Sequence, residues 1–333
     1  MSSQKDWLSR LLDIMTVTGR LDVRCAYGAP WQVAYEESTN GELYYHVILS
    51  GAALLETPGA DAPVTLREGD LVLLPHGSAH VLHDGSGKAA MPTREREDTN
   101  VKVSENAGLE DRLDMLCGRF FVAPPHDRLV RHFLPAALVV STREPEGSDE
   151  TRAGLADLMA LMRAESLGNR LGGGAMLNAL STALFALTMR LASESDRAPT
   201  GLLGLAGHPR LAPAISAILN QPTLPWTVPE LAELCNMSRA TFMRQFQHSL
   251  GRTAHELLLA VRMSLAANAL KNPLTKTEAV AEAVGYQSVA AFRRAFTEQF
   301  GMTPASWRRK LGSQSSSNED PSEEAPVDNV GSL

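Results

Sequence analysis

The pattern of apolar and polar positions changes near residue 150. Before that point, apolar runs such as 47–49 and 71–74 alternate with short sequences rich in Gly, Pro, Asn and Asp. These predict turns at Gly28-Ala29-Pro30, Thr39-Asn40-Gly41, Thr57-Pro58-Gly59, Glu68-Gly69-Asp70 and Pro75-His76-Gly77. Short strands at regular spacing are typical of a β-barrel or a β-sandwich. Residues 85–108 are polar and charged, and we expect a mobile loop there.

After residue 150 the apolar period becomes helical. Apolar residues recur three or four positions apart, with a break at the glycines of 172–174. The residues concerned are Leu155, Leu158, Met159 and Met162 before the break and Leu177, Leu180, Leu184 and Leu187 after it. Two such helices either cover the barrel or pair with a second copy of the chain. We favour pairing, with Leu158 and Met162 at the contact.

A repeat with an offset of fifty residues lies in the C-terminal third. The matched pairs are Ser238 and Ser288, Ala240 and Ala290, Phe242 and Phe292, Arg244 and Arg294, Phe246 and Phe296, Gly251 and Gly301, and Thr253 and Thr303. Each copy predicts a short helix, a turn, a serine that caps a second helix, and that helix itself. The phenylalanines share one face and are predicted to be core, which leaves the residues between them to reach DNA bases.

The helical pattern of residues 254–270 connects the two copies. A rigid helix of this length would hold two recognition helices about 34 Å apart, one turn of DNA. The charge distribution agrees with a DNA-binding segment. Residues 208–312 hold twelve basic and six acidic residues, whereas the whole chain has a net charge of −7. Residues 313–333 are acidic and Ser-rich, and we expect them to be a disordered tail.

The motifs of the repeat resemble those of the AraC/XylS family of transcription regulators. They are Trp226-Thr227-Val228, Leu231-Ala232, Met237-Ser238-Arg239, Arg244-Gln245-Phe246, Gly285-Tyr286-Gln287-Ser288, and the run from Phe292 through Pro304 to Trp307-Arg308. The resemblance implies DNA-facing positions at Ser238, Arg239, Ala240, Met243 and Arg244 in the first copy and at Gln287, Ser288, Val289, Ala290, Arg293 and Arg294 in the second. The arginines would either read bases or anchor phosphates.

Histidines in the first part of the chain raise the question of a metal site. Gly69, Pro75, Gly77, His80 and Asp84 follow the spacing of the second cupin motif, but the first motif offers only His46 and lacks its glutamate. His76 is a weaker third candidate because it lies in a turn. Catalytic metal sites have three protein ligands. We therefore expect structural histidines, no metal and no cofactor.

The cysteines suggest a different input. Segments around Leu8-Ser9-Arg10, Cys25, Cys117-Gly118 and His208-Pro209-Arg210 resemble reactive-chlorine-sensing members of the same family. The resemblance implies that Cys25 and Cys117 carry the sensing. Because closure of a barrel brings its first and last strands together, a disulfide between them is geometrically reasonable. Arg24, Arg112 and Arg119 would favour the thiolates. The alternative is that both cysteines are small buried hydrophobes, and Cys235 is expected to be core.

These observations predict an α+β multidomain protein that is not an enzyme. The expected parts are an N-terminal cupin-like β-barrel (1–145), a helical dimerisation segment (146–207), an all-α domain with two helix-turn-helix units (208–312) and the tail (313–333). We expect a cytoplasmic homodimer that binds a double-stranded DNA operator and RNA polymerase and activates transcription in response to oxidants.

Alternative functions remain open from the sequence. They are a regulator that binds a small molecule in the barrel, a DNA-tethered cupin enzyme, and a DNA-alkylation repair protein. Three scattered cysteines make no zinc cluster, which argues against the last of these. No apolar stretch approaches the roughly 20 residues of a membrane span, and the charges of Lys5, Asp6 and Arg10 do not fit a signal peptide.

Overall fold

The structure is a computed structural model that describes residues 5–38, 41–124, 126–143, 148–195 and 201–316. The chain divides into two compact units. The larger unit contains residues up to 222 together with 226–261, and the smaller unit contains 223–225 together with the chain from 262 onward. Part of the predicted turn at 39–41 and most of the predicted acidic tail lie outside the described residues.

The larger unit begins with a strand-rich domain. Its strands are β1 (Val17–Ala29), β2 (Gln32–Tyr35), β3 (Glu42–Ser50), β4 (Ala52–Glu56), β5 (Val64–Arg67), β6 (Asp70–Leu74), β7 (His80–His83), β8 (Thr93–Glu97), β9 (Lys102–Asn106), β10 (Glu110–Val122) and β11 (Leu138–Ser141). Seven form one sheet in the order β11-β6-β3-β10-β1-β9-β8, and four form a second in the order β2-β7-β4-β5. The predicted cupin-like strand domain is confirmed.

Apolar side chains from both sheets fill the interior of this domain. Its core contains Cys25, Tyr27, Trp31, Ile48, Leu55, Leu66, Val72, Leu82, Leu113, Met115 and Cys117, each no more than 2% exposed. The two longest strands, β1 and β10, run antiparallel along the middle of the larger sheet. This pairing places residues from the start and the end of the domain next to each other.

The expectation of a mobile loop at residues 85–108 was wrong in part. Strands β8 and β9 form a hairpin there, and β9 runs parallel to β1 beside residues 23–26. All five residues of β8 are exposed. The strand therefore lacks the alternation of apolar and polar residues by which a strand is predicted from sequence. The hairpin extends the sheet next to Cys25, whose register partner on β9 is Ser104.

Helices complete the larger unit. They are α1 (Trp7–Met15), α2 (Asp127–Phe133), α3 (Asp149–Leu167), α4 (Gly173–Glu194), α5 (Leu202–Gly207), α6 (Ala212–Asn220), α7 (Val228–Leu234) and α8 (Arg239–Leu250). Helix α9 (Ala254–Ala269) contains residues of both units, and α10 (Thr277–Ala283), α11 (Val289–Phe300) and α12 (Pro304–Ser316) belong to the smaller one. Helix α12 therefore includes the first four residues of the predicted tail.

Helix α4 packs against strand β1. The Gly19 backbone N–H donates to Thr182 Oγ1 at 2.8 Å, the Tyr45 hydroxyl lies 2.7 Å from Ser181 Oγ, and the ring of Phe120 contacts that of Phe185. Contrary to our expectation, α4 is long and apolar enough to cross a membrane by length and composition. Half of its most apolar window is buried within the protein. These contacts show that α4 packs on the larger sheet as part of the protein fold.

Gly19 permits this close approach. A Cβ at residue 19 would lie 2.5 Å from the Ser181 carbonyl carbon, so a side chain there must push α4 away from the sheet. We expect Gly19→Ala to lower the free energy of unfolding by about 1–3 kcal/mol, measured by urea denaturation. Gly154→Ala is the matched control, because the Cβ meets no atom within 4 Å and alanine favours the helix by about 0.5–1 kcal/mol. Equal stability changes in the two variants would contradict this packing.

Candidate DNA interface and thiol pair

The first helix-turn-helix lies in the larger unit. Helix α7 ends at Leu234, and Asn236 adopts a left-handed conformation in the turn. Ser238 then caps α8, its hydroxyl accepting the Thr241 backbone N–H at 3.2 Å. Phe242 and Phe246 are both 1% exposed. The predicted cap and core face are confirmed, and Cys235 is buried at the end of α7 as expected.

The opposite face of α8 is open to solvent. All five residues that the family resemblance placed toward DNA are exposed, namely Ser238, Arg239, Ala240, Met243 and Arg244. Met243 keeps 46% of its surface exposed although it is apolar. An exposed helix face that offers two arginines and small apolar side chains can contact both phosphates and thymine methyl groups in a major groove.

The second helix-turn-helix lies in the smaller unit and repeats this local geometry. Ser288 caps α11 through the Ala291 backbone N–H, and Phe292 and Phe296 are buried. The turn needs glycine at residue 285, where φ is +84° and a Cβ would lie 2.4 Å from the Thr223 carbonyl oxygen. On the outer face Gln287, Ser288, Ala290, Arg293 and Arg294 are exposed, whereas Val289 is half-buried.

Arg293 forms an ion pair within the protein. Its guanidinium lies 3.4 Å from the Glu278 carboxylate on α10, and both side chains are more than half exposed. An exposed ion pair of this kind contributes about 0–1 kcal/mol, so a DNA phosphate could readily replace the Glu278 carboxylate as the partner of Arg293. Arg262 on α9 was not singled out from the sequence. It donates to the Leu224 carbonyl at 2.8 Å and lies over the Tyr286 ring, and so it holds residues 223–225 against the rest of the smaller unit.

The two sensor-candidate cysteines meet in the core of the strand domain. Cys25 on β1 and Cys117 on β10 are each 1% exposed, and their sulfur atoms lie 3.8 Å apart. The register pairs Val23 with Cys117 and Cys25 with Met115, so the cysteines are diagonal neighbours on adjacent strands. Both thiols are free in this structure. The predicted proximity of Cys25 and Cys117 is present, but their strands β1 and β10 are neighbours in the middle of the sheet, and the last strand, β11, lies at its edge.

The surroundings shift the pKa values of the two thiols in opposite directions. A hydrogen bond from Cys117 lowers the pKa of Cys25, whereas burial raises the pKa of Cys117 well above its usual range. The Tyr27 hydroxyl beside Cys25 and the Tyr35 hydroxyl beside Cys117 each favour the thiolate form of the neighbouring sulfur. Cys25 is therefore the more acidic member of the pair.

The expectation that nearby arginines would activate the thiols was wrong. Arg24 alternates to the other side of β1 and binds the Asp114 carboxylate through two hydrogen bonds of 2.8 Å. Arg119 binds Asp22 and Glu42 instead. The main causes of the pKa shifts of both thiols are burial, the partner cysteine, the neighbouring tyrosine hydroxyls and nearby carboxylates, not arginines. Residues adjacent in sequence on a strand face opposite sides, which separates Arg24 from Cys25. Arg119 is two positions from Cys117, and its ion pairs with Asp22 and Glu42 occupy its guanidinium.

The histidines of the cupin motif form a pair. His46 Nε2 lies 2.8 Å from His80 Nε2, and His80 Nδ1 lies 2.9 Å from the Ser78 carbonyl oxygen, which it can contact only as a donor. Burial lowers the pKa of both imidazoles. His76 bonds the Leu134 carbonyl instead. Among the described residues no group of three or more His, Cys, Asp or Glu side chains is arranged to hold a metal, so this donor set does not fit the usual cupin metal.

Comparisons with known proteins match both parts of the chain. Residues 6–194 match the model of a cupin family, and residues 231–310 match that of a helix-turn-helix domain. The chain is similar to an uncharacterized HTH-type transcriptional regulator of Haemophilus influenzae, at 29% identity over 92% of this chain and 99% of that protein.

Two further relatives match over similar lengths. HTH-type transcriptional regulator MtrA of Neisseria gonorrhoeae is 28% identical over 92% of this chain and 99% of its own length. RCS-specific HTH-type transcriptional activator RclR of Escherichia coli is 28% identical over 92% of this chain and 98% of its own length. The similarity thus extends through the strand domain as well as the helix-turn-helix units.

Proposed function

The chain belongs to the cupin-containing AraC family of transcriptional regulators, and we propose that it activates transcription when an oxidant joins Cys25 to Cys117. The observation that carries this proposal is the 3.8 Å separation of two buried sulfurs on adjacent strands. Similarity to an activator named as RCS-specific supports the same input. We place the protein in the cytoplasm, where DNA and RNA polymerase are its partners.

The chemistry requires only the two thiols and the oxidant. The Cys25 thiolate attacks hypochlorous acid, which leaves a sulfenic acid on Cys25 and releases chloride. The Cys117 sulfur then attacks the Cys25 sulfur, a disulfide forms, and the sulfenic oxygen leaves as water. The two sulfurs together lose the two electrons that reduce the oxidant. Because both sulfurs are 1% exposed, a small neutral oxidant reaches them more easily than a large or charged one.

Disulfide formation would strain the sheet where it occurs. A sulfur–sulfur bond is about 2.0 Å long, whereas the sulfurs are 3.8 Å apart. The strands β1 and β10 or their side chains must therefore move within a packed core. Packed interiors transmit such displacements because they contain little free volume.

Contacts on both strands offer routes from the thiol pair to the rest of the larger unit. Strand β1 follows α1 directly, and α1 contacts α6 through the Arg10 guanidinium, which donates to the Leu219 carbonyl at 3.2 Å. On β10, Asp114 binds Arg24 and also lies 3.6 Å from Arg163 of α3. A shift of either strand would thus reach the helix that precedes the first helix-turn-helix and the helix that we assign to dimerisation.

The alternative functions have less support. The interior of the strand domain is occupied by its own apolar side chains, which disfavours a small-molecule effector there. Only His46 and His80 converge among the candidate ligands, so a cupin enzyme lacks its metal donors. Cys235 lies in the first helix-turn-helix, apart from the other two cysteines in sequence and in fold, which disfavours a repair centre built on clustered cysteines.

We propose that a second copy of the chain pairs through exposed apolar side chains of α3 and α4. Of the two residues first expected at the contact, Met162 was wrong, because it is fully buried within one chain, whereas Leu158 is half-buried. Leu161 is instead 43% exposed and Met176 48% exposed. Exposed alanines share the surfaces of these helices, at Ala156, Ala160, Ala164, Ala175, Ala179 and Ala183. A second copy of the same surface would remove these apolar groups from water.

The cysteine switch predicts a specific pattern among variants. Cys25→Ala and Cys117→Ala should each abolish oxidant-induced transcription in cells while leaving DNA binding of the purified protein unchanged. Cys235→Ala should respond as the wild type does, because its thiol lies outside the pair. Mass spectrometry of the oxidised wild type should find one peptide pair that joins Cys25 to Cys117. A normal oxidant response in both single variants would exclude the redox proposal.

The proposed dimer surface can be tested by measuring the molecular mass of a variant in solution. The double variant Leu161→Glu with Met176→Glu should be monomeric in light scattering, because it places two charges in the proposed apolar contact. Its circular dichroism spectrum should remain that of the wild type, since both side chains are exposed. Leu109→Glu is the control, an 81% exposed leucine outside α3 and α4 that should leave the dimer intact. A double variant that stays dimeric would place the dimer contact elsewhere.

A further inference from the structure

The chain beyond α12 carries charge of one sign only. Helix α12 ends at Ser316, and residues 317–333, which we call the acidic segment, lie outside the described residues. These 17 residues contain five carboxylates and neither lysine nor arginine, which gives a net charge of −5. The carboxylates belong to Glu319, Asp320, Glu323, Glu324 and Asp328. A block of like charges at the end of a domain is typical of an interaction segment.

The two units of the chain differ in the sign of their charge. Residues 262–316, which form the smaller unit together with 223–225, contain eight Lys or Arg and three Glu, a net charge of +5. Residues 1–261, which contain the larger unit, hold 23 Lys or Arg and 30 Asp or Glu, a net charge of −7. The acidic segment is therefore attracted to the unit from which it extends, whereas the net charge of the larger unit repels it.

The smaller unit presents its positive charge on two helices that pack together. The Trp307 ring of α12 stacks on the Phe300 ring of α11, with 5.7 Å between the ring centroids. The exposed cations of these two helices are Arg293, Arg294, Arg309 and Lys310. Arg293 and Arg294 are also the charged residues of the proposed DNA-facing surface of α11. One cationic surface is thus available to two different anions, a DNA phosphate and a carboxylate of the same chain.

The acidic segment is long enough to reach every part of α11. Helix α11 has 12 residues and α12 has 13, so the helices are about 18 Å and 20 Å long. Three residues connect them and span at most about 14 Å. The start of α11 therefore lies within about 52 Å of the end of α12. A chain of 17 residues spans up to about 56–61 Å, so the contact requires no rearrangement of the two helices.

We propose that the acidic segment binds the exposed cationic surface of α11 and competes there with the phosphates of DNA. The inference rests on the proposed role of α11 as a recognition helix. Carboxylates and phosphates are both acceptors for a guanidinium, so an arginine that the segment holds is not available to DNA. The segment is attached next to its binding surface, and attachment by a short linker gives a competitor a millimolar effective concentration.

This competition improves the discrimination between DNA sites. Non-specific DNA offers mainly phosphate contacts, and the acidic segment opposes those contacts directly. An operator adds contacts to base edges, with which it displaces the segment. The segment therefore reduces binding to non-specific DNA and leaves the operator as the favoured site.

The first test compares the full chain with a variant that ends at Ser316. The dissociation constant for a random-sequence duplex of about 40 base pairs is measured by fluorescence anisotropy on the reduced proteins. We expect the shortened variant to bind roughly tenfold more tightly at about 50 mM salt. Because salt screens the contact between the segment and α11, the difference should decrease to about twofold at about 200 mM salt.

A second variant keeps the length of the chain and removes only the charge of the segment. Its substitutions are Glu319→Gln, Asp320→Asn, Glu323→Gln, Glu324→Gln and Asp328→Asn. It should bind DNA as tightly as the shortened variant does. The matched control replaces five exposed acidic residues of the strand domain by amides, which changes the net charge of the chain by the same amount, and should bind as the wild type does. These residues are Glu36, Glu37, Asp61, Glu68 and Glu110.

Arg294→Ala separates a failure of this inference from a failure of the proposed DNA docking, because it should weaken DNA binding of the full chain and of the shortened variant. If it does so, but the shortened and neutralised variants bind as the wild type does, the inference is overturned and the docking of α11 stands. Tighter binding by the shortened variant alone also overturns the inference, because the gain then does not come from charge. Unchanged binding by Arg294→Ala would overturn the docking of α11 itself.

Discussion

The pairing of β1 with β10 is the interaction on which the rest of the structure depends. These two long strands form the middle of the larger sheet, and every other strand of that sheet is added on one side or the other of the pair. Helix α4 lies on this sheet because Gly19 of β1 lets its backbone approach. The same pairing brings together two sulfurs that are separated by 92 positions in the sequence. Chemistry at those sulfurs therefore acts on the element that organises the domain.

The proposed redox sensor is connected to the first helix-turn-helix through contacts within the larger unit. Strand β1 is preceded at once by α1, and α1 contacts α6. The Gly201 backbone N–H also donates to the Ser249 carbonyl at the end of α8, so the segment that begins α5 is bonded to the proposed recognition helix. Helix α9 then carries the chain from the larger unit into the smaller one. These hydrogen bonds and the covalent chain are the links through which we propose that the signal passes.

The sequence predicted best the features that depend on local chemistry. The serine caps, the buried phenylalanine pairs and the glycines after each recognition helix follow from short-range rules and from their repetition. The proximity of Cys25 and Cys117 was also predicted, but the reason given for it, closure between the first and last strands, was wrong, because β1 and β10 are neighbours in the middle of the sheet. The candidate DNA residues are exposed as expected, apart from the half-buried Val289.

Tertiary partners account for what the sequence did not predict. Helical periodicity groups Leu158 with Met162, but it cannot tell whether their face meets the same chain or another one, and Met162 is buried within its own chain. The exposed strand β8 has no apolar alternation, so its residues resembled a loop. Arg24 and Arg119 looked close to the cysteines, yet carboxylates distant in sequence bind both of them.

The most direct test of the central claim compares the state of the disulfide with the activity of the protein. Purified protein is equilibrated in thiol–disulfide buffers over a range of reduction potentials. The fraction of Cys25–Cys117 disulfide is measured by mass spectrometry, and transcription from a promoter under its control is measured in the same samples. If the disulfide is the switch, the two curves share one midpoint in the wild type. Complete formation of the disulfide with no change in transcription would contradict it.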